Sequence, residues 1–447
     1  MTLDDLGPVA PPVPPAPARA RLARLAPLVA CGVVLAVAIA LRLANFFVAD
    51  RSPDEELWTK FGVHIAREGP GWITRTAHDF NRDGDVEFPW PQRVGYTCLV
   101  ALAVRASGDT TVHAAEGLST VASVAATALT GVVAWEFIAP WVAPAAMLFM
   151  AVSPLDLALA RRAWQDDVMA LLTLLMAWAF LRHLARGGRG SALAFFALSA
   201  YALTVKESAV IPFGLGVAGL VLAAWHRARR APTEGGPPTE GRWRAPALML
   251  LAGVAAALVA GGAIVGVAGG PAEFRHLMEL AREALAPDKY LLEYQTGGVG
   301  YYVTGLTLLQ PVPFMFGFAG ALLAVVRAPF LSPAGTRPGA RGALAALGWL
   351  TLVFGAVSFS YYSKNMRFLS PIYAPVFLLA AALLWGALAR VRERASRRWA
   401  LAATVALALA LTGSAVRDAL RFDHYFNEMQ VQDLATPWFL QVDREDK

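Results

Sequence analysis

Apolar runs of membrane length recur along nearly the whole chain, and no other feature narrows its fold as much. They lie near 26–47, 112–136, 140–158, 165–183, 191–205, 208–225, 246–268, 302–326, 343–360, 368–389 and 399–416. About 20 helical residues, each rising about 1.5 Å, cross a hydrocarbon layer of roughly 30 Å. Inside that layer every backbone N–H and C=O must be bonded within its own segment, so runs of this kind are helices. The predicted fold class is an all-α polytopic membrane protein with about eleven transmembrane helices. Composition agrees, because 57% hydrophobic and 16% charged residues leave a chain of 447 residues too little charge for a soluble surface. Cys31 and Cys98 both sit in apolar stretches, which excludes a disulfide framework and a cysteine-rich metal centre.

One further apolar stretch, Val94 to Val104, is bounded by Arg93 and Arg105 and reaches only about 17 Å as a helix. Read as interfacial, it leaves the N-terminus and the arginine clusters at 182–189, 227–244, 327–341 and 390–398 on one side. Basic loops mark the cytoplasmic face of a membrane protein. The expected topology is therefore a plasma (inner) membrane protein with its N-terminus cytoplasmic and its C-terminus outside. The net charge of +6 is then topological and implies no nucleic-acid partner. All five lysines, Lys60, Lys206, Lys289, Lys364 and Lys447, fall on the outer side, against the usual bias. An anionic ligand at that face would explain them.

Residues 1–25, rich in proline and alanine and ending in arginines, read as a disordered cytoplasmic tail. The transmembrane domain runs over 26–416. Three outer segments can hold chemistry: the loop 48–111, the segment 269–301 with an amphipathic helix over 271–286, and the short tail 417–447. No phosphate-binding glycine loop, nucleophile elbow or zinc spacing occurs.

In the first outer loop, Ser52-Pro53-Asp54-Glu55 has the grammar of a helix start: an N-cap, a proline at the first position and a glutamate closing a capping box. Glu55 thus has a structural task. Four residues before Trp58, Asp54 is expected to head the apolar stripe Trp58, Phe61, Ile65. The helix dipole favours an acid there, but a carboxylate on such a face needs work or a partner. Asp79, Asn81, Asp83, Asp85 and Glu87 match the first oxygen positions of a calcium-binding EF-hand loop, with Gly84 at its sixth position and Trp90 where the last ligand belongs. A bound calcium ion and an Asp/Gly-rich turn are both open readings. Asp166 and Asp167 open a span, either capped and paired with Arg161 and Arg162 or facing the vestibule of Asp54. Lys206, Lys364 and Arg367 lie at outer turns, where cations bind lipid phosphate or snorkel.

The order of these features resembles the GT-C type polytopic glycosyltransferases, in particular the protein-mannosyltransferase-like and aminoarabinose-transferase-like bacterial members. Arg42, Pro53-Asp54-Glu55, Glu87-Phe88-Pro89, Ser153-Pro154 with Asp166 beyond, Thr204-Val205-Lys206-Glu207 and Met366-Arg367-Phe368-Leu369-Ser370-Pro371 carry the resemblance. Phe88-Pro89-Trp90-Pro91 stands where the family usually has Lys-Pro-Pro or His-Pro-Pro. The resemblance implies a polyprenyl-phosphate-linked sugar donor and a glycan, lipid or protein acceptor on the outer face. It implies Asp54 as the catalytic acid-loop residue, Glu87 and Asp166 as its companions near the sugar, and Lys206 and Arg367 against the carrier phosphate. Glu55, Asp167 and Lys364 stand beside them as candidate substrate contacts. A carboxylate that takes a proton from the acceptor hydroxyl on the face opposite the leaving phosphate inverts the anomeric carbon. The alternatives are a glycolipid transporter or flippase and a noncatalytic membrane scaffold. A transporter more often carries repeated halves and midplane charges, which the sequence does not display.

Overall fold

The computed structural model describes residues 18–46, 51–83, 93–230, 244–284, 289–333, 336–361 and 363–445. Among them there is no strand. In chain order the helices are α1 (Ala18–Ala44), α2 (Pro53–Glu68), α3 (Gly71–Asp83), α4 (Val94–Ser107), α5 (His113–Phe137), α6 (Val142–Ala151) and α7 (Pro154–Ala160). Then come α8 (Asp166–Arg186), α9 (Arg189–Val205), α10 (Val210–Arg230), α11 (Arg244–Val267), α12 (Pro271–Ala284) and α13 (Lys289–Tyr294). The chain ends with α14 (Gly300–Leu309), α15 (Pro311–Leu331), α16 (Ala340–Ser360), α17 (Tyr373–Arg394), α18 (Arg397–Phe422) and α19 (Thr436–Glu445). Among the described residues eight helices are long and apolar enough to cross a membrane, or nine if α6 and α7 form one bent span. The chain is an all-α, multi-pass membrane protein.

Two expected spans are broken, each at a proline. The run 140–158 divides into α6 and α7, which meet at 60°. Ser153 is the N-cap of α7 and its hydroxyl accepts from the Asp156 N–H, while Pro154 occupies the first helical position. The run 302–326 divides at Gln310, which is extended at φ −147°, ψ 65° before Pro311. A residue before proline is pushed out of the helical region, so both breaks are written locally. The expected span 191–205 is α9, whose 17 residues give about 26 Å. Val94 to Val104 lies within α4, a helix of 14 residues and about 21 Å, packed on α2, α5 and α9.

Burial separates the helices into an inner set and a lipid-facing set. Helix α17 is buried without interruption from Tyr373 to Ala382, and α8 contributes to both large apolar clusters. By contrast Leu248, Leu251 and Leu258 on α11 and Trp399, Leu401 and Leu409 on α18 are more than 60% exposed. Apolar surface of that extent belongs against lipid. Where helices must approach closely, glycine supplies the room. A Cβ on Gly317 of α15 would lie 2.3 Å from Val376 Cγ1 and 2.6 Å from the Val376 carbonyl oxygen of α17. Van der Waals contact drives helix association in lipid, and small residues permit it. Gly317→Leu should therefore destabilise the bundle by about 1–3 kcal/mol, read as a lower melting temperature of the purified protein; an unchanged melting curve would contradict the packing.

The segments expected on the outer side do not hang free. Helices α2, α3, α4, α12 and α13 gather at one end of the bundle with the chain after α18. That tail passes through a π-helical turn, Asp423–Glu428, and returns in α19. Tyr425 and Phe439 within it are fully buried. The tail builds a cap, at the expected outer end, over the 161–165 turn between α7 and α8 and the segment before α17, through Phe426, Asn427, Gln432 and Leu434.

Candidate functional site

The site is assembled around the short turn between α7 and α8, residues 161–165. Its residues are buried, which demands partners for each polar atom. Arg162 Nη1 donates to Glu55 Oε2 at 2.9 Å, and the Ala163 N–H donates to Glu55 Oε1 at 3.0 Å. Glu55 Oε2 also accepts the Ser52 N–H at 2.7 Å, the expected glutamate arm of the capping box. Trp164 Nε1 donates to Ser52 Oγ at 3.1 Å. The start of α2 is thereby clamped onto the turn. Three N–H donors occupy the fully buried Glu55 carboxylate.

This corrects one expectation. Glu55, not Asp54, heads the buried face of α2, with Trp58, Phe61 and Ile65 below it. Asp54 sits to the side, its side chain 53% exposed, with Arg367 Nη2 4.0 Å from its Oδ2. The physical reason is the 161–165 turn, which covers one side of the first turn of α2 and leaves the other open.

From Asp54 a chain of contacts runs inward. The Arg367 guanidinium lies 4.7 Å from the centroid of the Trp164 ring and 5.7 Å from that of Phe368. Lys206 Nζ lies 5.3 Å from the Phe368 centroid and donates to Asp166 Oδ1 at 2.5 Å. Phe368 thus stands between two cations, an arrangement that cation–π attraction holds in place. Local geometry presents them: Asn365 caps the 3₁₀ segment Met366–Ile372 by accepting the Arg367 N–H, and Lys206 ends α9 in an extended conformation. Asp166, Lys206 and Arg367 come together with Asp54 at the cap. Lys364 turns back, its Nζ donating to the Tyr361 carbonyl at 2.6 Å.

The arginines of the turn serve other partners than Asp166 and Asp167. Arg161 donates to Asn427 Oδ1 at 2.7 Å and to the Phe426 carbonyl at 2.6 Å, and Arg162 also donates to the Gln432 carbonyl. Both pin the tail over the site. Burial, then the charge of Arg162, brings the Arg161 guanidinium down to about 10, so it stays protonated at neutral pH. Asp167 is buried, and neither of its carboxylate oxygens has a hydrogen-bond partner among the described residues.

A cluster that the sequence reading did not assemble lies beside these acids. Asp156 of α7 pairs with Arg42 of α1 and accepts from Ser123 Oγ of α5 at 2.5 Å. Arg42 also reaches the Ala38, Met150 and Ala151 carbonyls. Arg42 and Asp156 each stand inside an apolar run, where a charge must find a partner, and that was the available signal.

The described residues do not support the calcium reading. Asp79, Asn81 and Asp83 lie on α3. Residues two apart on a helix point about 200° away from each other, so Asp79 and Asn81 face different ways, where a calcium loop would wrap both around one ion. Asp85 and Glu87 lie outside the described residues, and with them the Glu87 assignment. Among the described residues no group of three or more His, Cys, Asp or Glu could hold a metal ion.

No protein-family model and no curated protein sequence matches the chain. Solved structures do. ArnT from Cupriavidus metallidurans in the apo state matches at 16% identity over 87% of this chain and 74% of that one, with a TM-score of 0.52. The Archaeoglobus fulgidus oligosaccharyltransferase tethered to an acceptor peptide containing the NVT sequon matches at 14% identity and a TM-score of 0.56. That match covers 89% of this chain but 55% of the archaeal one, so the chain spans little more than half of the archaeal enzyme. AglB from Archaeoglobus fulgidus, in complex with an inhibitory peptide and a dolichol-phosphate, matches at 12% identity over 92% and 56%, with a TM-score of 0.53. With its bent spans, its capped end and these matches, the chain has the fold of the GT-C type polytopic glycosyltransferases, in the manner of the aminoarabinose transferases.

Proposed function

We propose that the protein is a membrane glycosyltransferase that moves a sugar from a polyprenyl-phosphate-linked donor to an acceptor on the outer face of the membrane. The observation that carries this reading is the line Asp54, Arg367, Phe368, Lys206, Asp166 beneath the cap. It places an exposed carboxylate within 4.0 Å of a guanidinium at the mouth of an apolar bundle. The AglB structure holds a dolichol-phosphate, which supports a lipid phosphate as the ligand of this fold.

In the proposed reaction Asp54 takes the proton of the acceptor hydroxyl as its oxygen bonds to the anomeric carbon. The bond from that carbon to the phosphate oxygen breaks, and the electron pair leaves with the lipid phosphate. Arg367 and Lys206 stabilise the charge that develops there, the role in which cations contribute most when water is excluded. Asp166 holds Lys206 in position. Attack from the face opposite the phosphate inverts the anomeric carbon. A long apolar donor accounts for a transferase that is mostly membrane, since its tail stays in the bilayer while its head reaches the cap. The arginine-rich loops expected at the other end support an outward orientation of this one.

The test is release of polyprenyl phosphate by the full chain in detergent, supplied with polyprenyl-phosphate-linked sugars and envelope lipids or glycans as acceptors. Arg367→Ala should raise the KM for donor about tenfold or more, the worth of a lost charge-assisted contact of about 1.5–3 kcal/mol. Donor that is never consumed, yet crosses the leaflets of a reconstituted vesicle, would replace this reading by a flippase.

A further inference from the structure

At the end of the bundle opposite the cap, a groove of about 730 Å³ lies between α1, α5 and α6. Leu28, Leu35, Val132 and Met147 form its apolar walls. Gly32 leaves the floor open, because a Cβ there would meet no atom within 4 Å. Leu28 is 51% and Val132 46% exposed, so the slot opens sideways toward lipid.

The mouth of the groove is built differently. Arg182, Arg186 and Arg337 line it together with Glu136. Glu136 Oε1 accepts from Arg186 at 2.7 Å and lies 3.2 Å from Arg182 Nε, and Oε2 accepts from Trp178 Nε1 at 3.0 Å. Arg337 is fixed to the end of α5, its backbone N–H on the Ile138 carbonyl at 2.8 Å and its Nε on the Trp135 carbonyl at 3.2 Å. Three guanidinium groups against one carboxylate leave two positive charges in excess at the end of an apolar slot.

We propose that this groove binds one anionic glycerophospholipid, with an acyl chain along Leu28, Leu35 and Val132 and its phosphate against Arg186 and Arg337. Arginine suits a phosphate because its planar donors match two oxygens at once. A zwitterionic lipid offers the same tail, but its ammonium opposes the excess charge, so charge complementarity selects the anionic head. The site lies far from the cap and does not depend on the glycosyltransferase reading.

Trp135 lines the groove and reports on it. The experiment is quenching of tryptophan emission in the full chain, in micelles, by phosphatidylglycerol carrying brominated acyl chains, with brominated phosphatidylcholine in parallel. Saturable quenching by phosphatidylglycerol is expected, with its saturable part missing from Trp135→Phe. Arg337→Ala should weaken it about fivefold, the effect of one arginine beside an anionic lipid. Gly32→Leu fills the slot and should remove saturation while leaving the melting temperature unchanged. Equal quenching by both lipids, saturation that survives Gly32→Leu, or no saturable quenching because another segment of the chain occupies the slot would each overturn the proposal.

Discussion

Asp54→Asn should lower sugar transfer about 10²–10⁴-fold, the usual contribution of a positioned general base. The loss belongs in kcat, with the KM for donor little changed, because asparagine keeps the shape of the side chain, loses its capacity to take a proton, and gives up only a loose, exposed pairing with Arg367. Stability should hold. The side chain is 53% exposed and meets Arg367 at a loose 4.0 Å, so the change falls in the class of surface substitutions worth about ±0.5 kcal/mol. Turnover and melting temperature measured on the same preparation separate the two effects. Full turnover by the Asn variant would remove Asp54 from the chemistry, and the base would have to be sought elsewhere in the cap.

The neighbouring acid should fail in the opposite way. Glu55→Ala leaves the Arg162 guanidinium, whose side chain is 5% exposed, buried without its carboxylate. It also takes the acceptor from the Ser52 and Ala163 N–H groups. Breaking one side of a buried pair costs about 3–5 kcal/mol. The melting temperature should fall, and the tail 423–445, which Arg161 and Arg162 pin in place, should become open to proteolysis. Activity should then be lost through the cap rather than through the reaction itself. Glu55→Leu combined with Arg162→Met should recover part of the stability, since an apolar pair carries no desolvation cost. A single Glu55→Ala variant with wild-type melting would show that the clamp on the 161–165 turn is not what holds the cap. Adjacent residues would thus separate chemistry from architecture.

Much of the fold was legible because the membrane simplifies the rules. Lipid allows few backbone solutions, so the lengths of the apolar runs give the helices almost directly, and Ser153-Pro154 and Gln310-Pro311 already carry the grammar of a break. The capping box at Ser52 was equally local, and α2 begins where it should. Asp54, Asp166, Lys206 and Arg367, each singled out in the sequence, come together at one end of the bundle, but their pairings were not legible. Periodicity along α2 put Asp54 on the buried face because it counts neighbours within one helix. The turn that decides burial comes from more than a hundred residues away, where Arg162 and Ala163 meet Glu55. Charge proximity in the chain likewise suggested Arg161 and Arg162 for Asp166, whereas its cation is Lys206, forty residues on. The oxygen-rich run at 79 looked like a metal loop because ligand spacing was read without its backbone, and its first part continues α3, where Asp79 and Asn81 face different ways.

The sequence by itself determined the solvent: so many apolar residues in such long runs commit the chain to lipid. It also carried, at Ser52, Ser153-Pro154 and Gln310-Pro311, the local signals that start or break a helix, because caps and prolines act on their immediate neighbours. Only the tertiary structure decided which of two adjacent acids is buried, which cation each carboxylate holds, and that the tail closes over the site. Those outcomes depend on contacts between residues remote in the chain, and a buried charge is settled by whichever partner the fold brings within reach.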